Sequence, residues 1–247
     1  MPDWLVPDWP LPAGVRSLCT TRDGGVSVGA CQSLNLGGHV GDDPASVRIN
    51  RARLEAALGA HPVFLQQVHG TGLLPLDGGT ADGAAADACT TTERGVACTI
   101  MVADCLPVLF TDAAGARVAA AHAGWRGLAA GIAGMAGEAL CAAAQCGPEE
   151  VDGWLGACIG ADAFEVGADV LSAFGVEPGS NDRRFKANGG GKWLADLAGL
   201  TRDRLRAAGV ERVSGGGWCT VSDASRFFSF RRDGVTGRMA AAVWLHG

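Results

Sequence analysis

Short, almost wholly apolar runs mark the middle of the chain. Val63 to Val68, Gly95 to Val102, Pro107 to Thr111 and Arg117 to Ala123 are short enough, and rich enough in Val, Ile, Phe and Thr, to predict strands. Similar runs lie at Ser17 to Thr21, which leads into the turn Asp23-Gly24-Gly25, at Trp154 to Ile159, and at Arg238 to Leu245. Helical periodicity begins at Asp43, where Pro44 suits a first turn and Val47, Arg51, Leu54 and Leu58 share one face. The Ala-rich stretch from Leu128 to Gln145 predicts the clearest helix, and Gly167 to Phe174 and Leu194 to Ala208 predict two more. Strands grouped in the middle and at both ends, with a few helices between, predict a mixed α and β domain without fixing its topology.

Nothing divides the chain. No repeat is visible, and the glycine patches Gly78-Gly79, Gly189 to Gly191 and Gly215 to Gly217 are too short for linkers, so they read as loops within one domain spanning residues 1–247. With 48% hydrophobic and 19% charged residues the chain has material for a core, which excludes intrinsic disorder. Its formal charge is −6, and its basic residues, 18 Arg and 2 Lys, form no stripe. Nucleic acid is therefore not expected as a partner. The opening residues Met1 to Asp8 lack the basic end and apolar run of a signal peptide, and stretches such as Val96 to Ala103 fall far short of the ~18–20 residues that span a bilayer. The expectation is a soluble cytoplasmic protein with no membrane partner. Nine cysteines, an odd number with no C-x-x-C, then read mostly as small buried hydrophobes.

Missing motifs prune the chemistry. Gly191-Lys192 is followed by Trp193, so there is no P-loop; no dinucleotide fingerprint, H-E-x-x-H, G-x-S-x-G or nucleobase-deaminase zinc signature occurs. What remains is a set of His and Cys residues at predicted strand ends: His69 in Gln66-Gln67-Val68-His69-Gly70, Cys105 in Ala103-Asp104-Cys105-Leu106-Pro107, and His122 in Ala121-His122-Ala123-Gly124-Trp125-Arg126-Gly127. Two imidazoles and a thiolate suit Zn²⁺, and three protein ligands leave a position open. Their spacing alone fits hydrogen-bonded core histidines and a packed cysteine better than a metal site.

The order of these segments closely resembles the YfiH family, the multicopper polyphenol oxidase or laccase-domain family of older naming. The resemblance is carried by Cys19-Thr20-Thr21-Arg22-Asp23-Gly24-Gly25-Val26-Ser27, Ser33-Leu34-Asn35-Leu36-Gly37, Val40-Gly41-Asp42-Asp43, the three His and Cys segments, Phe227-Phe228-Ser229-Phe230-Arg231-Arg232-Asp233-Gly234 and Thr236-Gly237-Arg238-Met239, and it runs from about residue 15 to 246. It implies an α+β fold, a single-domain layered α/β sandwich similar to the catalytic domain of necrotizing toxins. It further implies a mononuclear zinc held by His69, Cys105 and His122, and a monomer. The implied activities are phosphorolysis of adenosine, inosine, guanosine and S-methyl-5'-thioadenosine to base and pentose-1-phosphate, and hydrolytic deamination of adenosine to inosine. Purine nucleosides and phosphate are thus the expected small-molecule partners.

Such chemistry needs further groups. Deamination requires a proton carrier for the departing ammonia; Asp104, beside Cys105, is the candidate, with orientation of a ligand histidine as its other reading. Phosphorolysis requires donors for a dianion, and Arg22, Arg126 and Arg231 stand in family motifs, Arg22 first because the adjacent Gly24-Gly25 turn also presents amides. Each also reads as a structural ion pair. Asn35 reads as a ribose or base contact or as a turn residue. His39 reads as a loop residue, and Cys158 as packing. Phe164 stands where family members usually carry tyrosine, and this chain has no tyrosine.

Two other classes compete. A cysteine hydrolase or amidase acting on cell-wall precursors, which the resemblance to the toxin domain and the cell-wall role of some family members would allow, would use Cys105 as nucleophile with His122 or His69 as base. Copper oxidation of phenols, the older assignment, is disfavoured because five histidines are too few for a multicopper centre.

Overall fold

The computed structural model describes residues 3–247; Met1 and Pro2, which open the segment read as lacking a leader, lie outside the described residues. In chain order, strand β1 (Val15–Cys19) precedes helix α1 (Pro44–Leu58), and β2 (His61–Phe64), β3 (Leu73–Pro75), β4 (Ala88–Thr91), β5 (Val96–Val102), β6 (Leu106–Asp112) and β7 (Val118–Ala123) follow. Helices α2 (Trp125–Ala129) and α3 (Ile132–Ala144) lead to β8 (Val151–Leu155). An excursion through β9 (Glu165–Val166), α4 (Ala168–Ala173), β10 (Phe185–Ala187) and β11 (Trp193–Ala195) comes before α5 (Leu197–Ala207). The chain then finishes with β12 (Arg212–Gly215), α6 (Phe230–Asp233) and β13 (Met239–Leu245).

Two sheets stack face to face, one ordered β1-β13-β5-β2 and the other β12-β8-β6-β7-β4-β3, with β10-β11-β9 as a small separate sheet. Side-chain alternation explains the layering. Along β5, Cys98, Ile100 and Val102 point into the core between the sheets, while Ala97 and Met101 point outward under α1 with Leu54 and Leu58. Along β6, Leu109 faces the other sheet, and Leu106, Val108 and Phe110 face Ile132, Ala136 and Leu140 of α3. Both faces of each central strand are covered, so β5, β6, β7 and β13 are buried at every position and appear in the sequence as almost wholly apolar runs. The result is the mixed α and β domain expected from the element pattern, in the layered sandwich that the family resemblance implies. Among the described residues, no helix is long and apolar enough to cross a membrane.

Element boundaries moved where local chemistry decided them. Asp43 caps α1 by accepting from the amides of Ala45 and Ser46, and Gly59 closes it at φ 61°. The single helix expected over Leu128 to Gln145 is two, because Gly131 adopts φ 97° and breaks the ladder between α2 and α3. Leu194 lies in β11; the helix begins only at Leu197, after Asp196 accepts from the Gly199 amide. The strand placed at Trp154 to Ile159 runs from Val151 to Leu155. Val63 to Val68 keeps strand geometry only to Phe64, and the residues that follow form part of the site.

Candidate metal centre

Strand register brings the ligands together. In the β6–β7 pair Pro107 lies opposite His122, which places the start of β6 beside the end of β7 and so Cys105 beside His122. In the β4–β7 pair Ala88 lies opposite Ala121, which brings Asp87 to the same place. His69 arrives on the loop after β2. Its neighbour Gln67 donates to the Met101 carbonyl (2.8 Å) and accepts from the Met101 amide (2.8 Å), which pins that loop to β5. His69, Cys105 and His122 then present one ligand atom each, all within 4.8 Å of one another, with the sulphur of Cys105 3.7 Å from Nε2 of His69. A tetrahedral zinc with bonds of about 2.0–2.3 Å needs donors about 3.3–3.8 Å apart; the Cys105–His69 separation meets that, and the donor set is one that could hold a metal ion.

Asp87 organises the cluster, and no motif pointed to it. Its fully buried carboxylate accepts from the amides of Val68 (3.1 Å), His69 (2.9 Å) and Gly70 (2.7 Å), and also bonds Nδ1 of His122 (2.8 Å). One side chain therefore fixes the His69 loop, which passes φ 60° at His69, and the His122 ring. With Nδ1 turned to the carboxylate, Nε2 is the His122 atom that could meet a metal ion. The signal in the sequence was a carboxylate stranded in the apolar run Ala84-Ala85-Ala86-Asp87-Ala88-Cys89.

The electrostatics favour a thiolate. Burial pushes the Cys105 thiol up, but the charge and hydrogen bond of His122, aided by His69, overcome it and hold the thiol at about 6. Burial likewise opposes a charged His122, yet the thiolate and the Asp87 carboxylate raise it to about 9. A thiolate is the form that ligates a soft or borderline metal.

Two glycines explain the H-A-G-W-R-G segment. A Cβ on Gly124 would lie 2.8 Å from Cδ2 of His69 and 3.1 Å from the Cys105 sulphur, and one on Gly127 would lie 2.9 Å from the Gly70 carbonyl oxygen. Gly124→Ala should therefore splay two ligands and weaken metal binding roughly 10–100-fold while the chain stays folded; a metal titration alongside circular dichroism checks both parts.

Two cavities meet at His69, Cys105 and Phe230. One, of about 280 Å³, is also lined by His39, Gln67 and Arg238. Arg238 directly precedes β13, and Met239 pairs with Val102, so the register delivers it opposite the Cys105 turn. Its half-buried guanidinium donates to the carbonyls of Thr236 and Gly237 and, among the described residues, makes no ion pair. The other cavity, of about 300 Å³, is lined by Asp104, Trp125, Arg126, Phe164 and Arg231.

Several expected substrate residues do other work. Arg22 lines neither cavity; it donates to the carbonyls of Gln32 (3.0 Å) and Ala224 (2.9 Å) and so ties distant segments together. Asn35 is fully buried, donating to Gly37 O and Asp42 Oδ2 and accepting from the amides of Gly37 and Arg238, which leaves it a turn-holding role. Asp104, at φ 99°, accepts from the Thr220 hydroxyl (2.5 Å) and the Arg231 amide (2.6 Å); it bonds neither ligand histidine and instead anchors the start of α6. Arg126 and Arg231 do reach the second cavity, Arg126 over the Trp125 ring and Arg231 over Phe164. His39, read as a loop residue, and Arg238, quoted only as part of a motif, line the first.

The chain belongs to the multi-copper polyphenol oxidoreductase laccase family, whose model matches residues 16–246. It is 50% identical over 243 residues to a purine nucleoside phosphorylase of Pseudomonas aeruginosa and 47% identical to the purine nucleoside phosphorylase YfiH of Escherichia coli strain K12, covering 98% of each chain in both cases. Among solved structures, a Neisseria meningitidis protein superposes with a TM-score of 0.90 at 50% identity, covering 99% of this chain and 100% of that one. YlmD from Geobacillus stearothermophilus superposes with a TM-score of 0.91 at 33% identity, covering 99% and 96%.

Proposed function

We propose that the chain is a zinc-dependent purine nucleoside enzyme. It phosphorolyses adenosine, inosine, guanosine and S-methyl-5'-thioadenosine to base and pentose-1-phosphate, and hydrolytically deaminates adenosine to inosine. One observation carries the reading: the His69, Cys105 and His122 cluster sits where a cationic cavity meets an aromatic one. The names of the relatives support the substrate class. The partners are then small molecules, and the chain acts as a monomer in the cytoplasm.

A bound zinc would supply Lewis acidity at the junction of the cavities. Arg238, desolvated and in no ion pair among the described residues, holds phosphate in the first cavity with His39 beside it. Trp125, Phe164 and Phe230 offer flat apolar surfaces to the purine in the second, with Arg126 and Arg231 at its polar edge. A phosphate oxygen attacks the anomeric carbon, the glycosidic bond breaks, and its electron pair leaves with the base. Asp104 positions Phe230 and Arg231 through the Arg231 amide. Arg238→Ala should raise the KM for phosphate roughly 10–100-fold, the worth of a charge-assisted contact, whereas Arg22→Ala should leave it unchanged; initial rates at varied phosphate check the pair.

Incubation with adenosine, with and without phosphate, tests the reading by product identification. Adenine and ribose-1-phosphate only with phosphate, and inosine in either case, is the expected result; no product from zinc-loaded protein overturns it. The alignment of Cys105, His122 and Asp87 also favours a second reading, a cysteine hydrolase with His122 as base. Chelation separates the two. Metal removal abolishes a zinc enzyme and zinc restores it, whereas a nucleophilic thiolate gains activity once freed from the ion.

A further inference from the structure

Beyond the ligand cluster the fold sets two other cysteines side by side. Cys158 and Cys219 are partners in an isolated parallel bridge, so their Cα atoms lie one strand spacing apart, about 4.8 Å. That falls within the about 4.4–6.8 Å over which disulfides form. Partners in a bridge project to the same side, and both line one cavity of about 210 Å³, walled also by Gly160, Asp196, Gly217 and Trp218.

The two sulphurs differ in kind. Cys219 is half-buried, and its sulphur accepts from the Gly160 amide (3.2 Å) and the Ser222 hydroxyl (3.3 Å). Burial opposes its ionisation, but these donors, with the amides of Ser222 and Val221, bring the thiol below its usual value. Cys158 is buried, and desolvation pushes its thiol well up. One is therefore the more accessible and more readily ionised thiol, and the other a buried thiol in reserve. The other half-buried neighbours, Cys141 and Cys146, lack this division: burial raises both, Cys141 to about 11.

We infer that Cys158 and Cys219 form a peroxide-responsive dithiol whose oxidised state is an intramolecular disulfide. The Cys219 thiolate attacks an oxygen of hydrogen peroxide; the S–O bond forms, the O–O bond breaks and hydroxide leaves, giving a sulfenic acid. The Cys158 thiol then surrenders its proton and attacks the Cys219 sulphur; the S–S bond forms, the S–O bond breaks and water departs. Two electrons pass from the thiols to the peroxide. The position gives this reaction a reach: Ile159, next to Cys158, donates its amide to the Asp104 carbonyl (2.9 Å), and Thr220, next to Cys219, donates its hydroxyl to the Asp104 carboxylate. The disulfide thus forms one residue from each anchor of the turn that carries Cys105.

The test is limited peroxide treatment of the full chain, alkylation of remaining thiols, digestion and peptide mapping. The expected product is a peptide joining Cys158 to Cys219, with Cys219 consumed roughly tenfold faster than Cys141 or Cys146 near neutral pH. In Cys158→Ser the sulfenic acid on Cys219 should be trapped by a cyclic dione, and in Cys219→Ser, at the less buried position, Cys158 should remain alkylatable after denaturation. Consumption of Cys219 no faster than Cys141 and Cys146, or its oxidation while Cys158 of the unmutated chain stays free, overturns the inference. The unmutated chain alone gives either answer if the Cys158 variant does not fold.

Discussion

Asp87→Ala is expected to cost about 3–5 kcal/mol of stability, the scale for breaking a buried ionic pair. It would abolish metal binding as well. The substitution removes the acceptor of the Val68, His69 and Gly70 amides and leaves the Nδ1 proton of the buried His122 without its partner. Against a total stability of about 5–15 kcal/mol this is a large fraction. Asp87→Asn keeps the volume and one acceptor oxygen but turns an N–H group toward other donors, so it should fold and lose roughly 10–100-fold in metal affinity. Acid should act in the same direction as the alanine. Burial opposes ionisation of Asp87, yet its bond to His122 and the amide donors set its folded pKa below the ordinary value. Its contribution is therefore complete above about pH 4 and lost as pH falls through the lower, folded value. Urea unfolding curves of both variants across pH, with a metal titration of the asparagine form, check the set.

Cys105→Ala should separate function from stability. Cys105 is half-buried at the rim of both cavities, so its loss should change stability by no more than about 1 kcal/mol. Removing one of three ligands should release the ion and, with it, several kcal/mol of transition-state stabilisation, roughly a 10³-fold fall in phosphorolysis. Cys105→Asp replaces the thiolate by another metal ligand and should recover part of the metal content and of the rate. A hydrolase that uses the sulphur as nucleophile would recover nothing. Metal analysis and turnover of the two variants, beside thermal unfolding, decide between them.

The contrast between these residues shows where the sequence could be read. Cys105 and His122 were legible because each lies at the mouth of an apolar run, and the runs are apolar because both faces of β6 and β7 are covered. Gly124 was legible only as part of a motif; its reason, room for the His69 ring and the Cys105 sulphur, is a three-dimensional fact. Asp87 was missed since its partners lie 17–19 and 35 positions away and reach it through register alone. Arg238 was quoted within its motif but not chosen, as nothing local shows that Met239 pairs with Val102. Arg22 beside a glycine turn looked like an anion site, but the carbonyls of Gln32 and Ala224 hold its guanidinium away from both cavities at the cluster. The short strands β3, β9, β10 and β11 carry too few residues for any period to show, and β11 was absorbed into the helix that follows it.

The position of β13 also sets the order in which the molecule can be assembled. Made last, it is inserted between β1, made first, and β5, from the middle of the chain. Until residues 239–245 leave the ribosome, β1 has no partner strand in its sheet and one edge of β5 stays open, an apolar template for wrong pairings. The final strand also brings Arg238 to the cavity beside Cys105. No shorter nascent chain can therefore hold a complete site: the enzyme becomes competent in one late, long-range closure, and a domain with so many distant contacts is expected to reach it slowly.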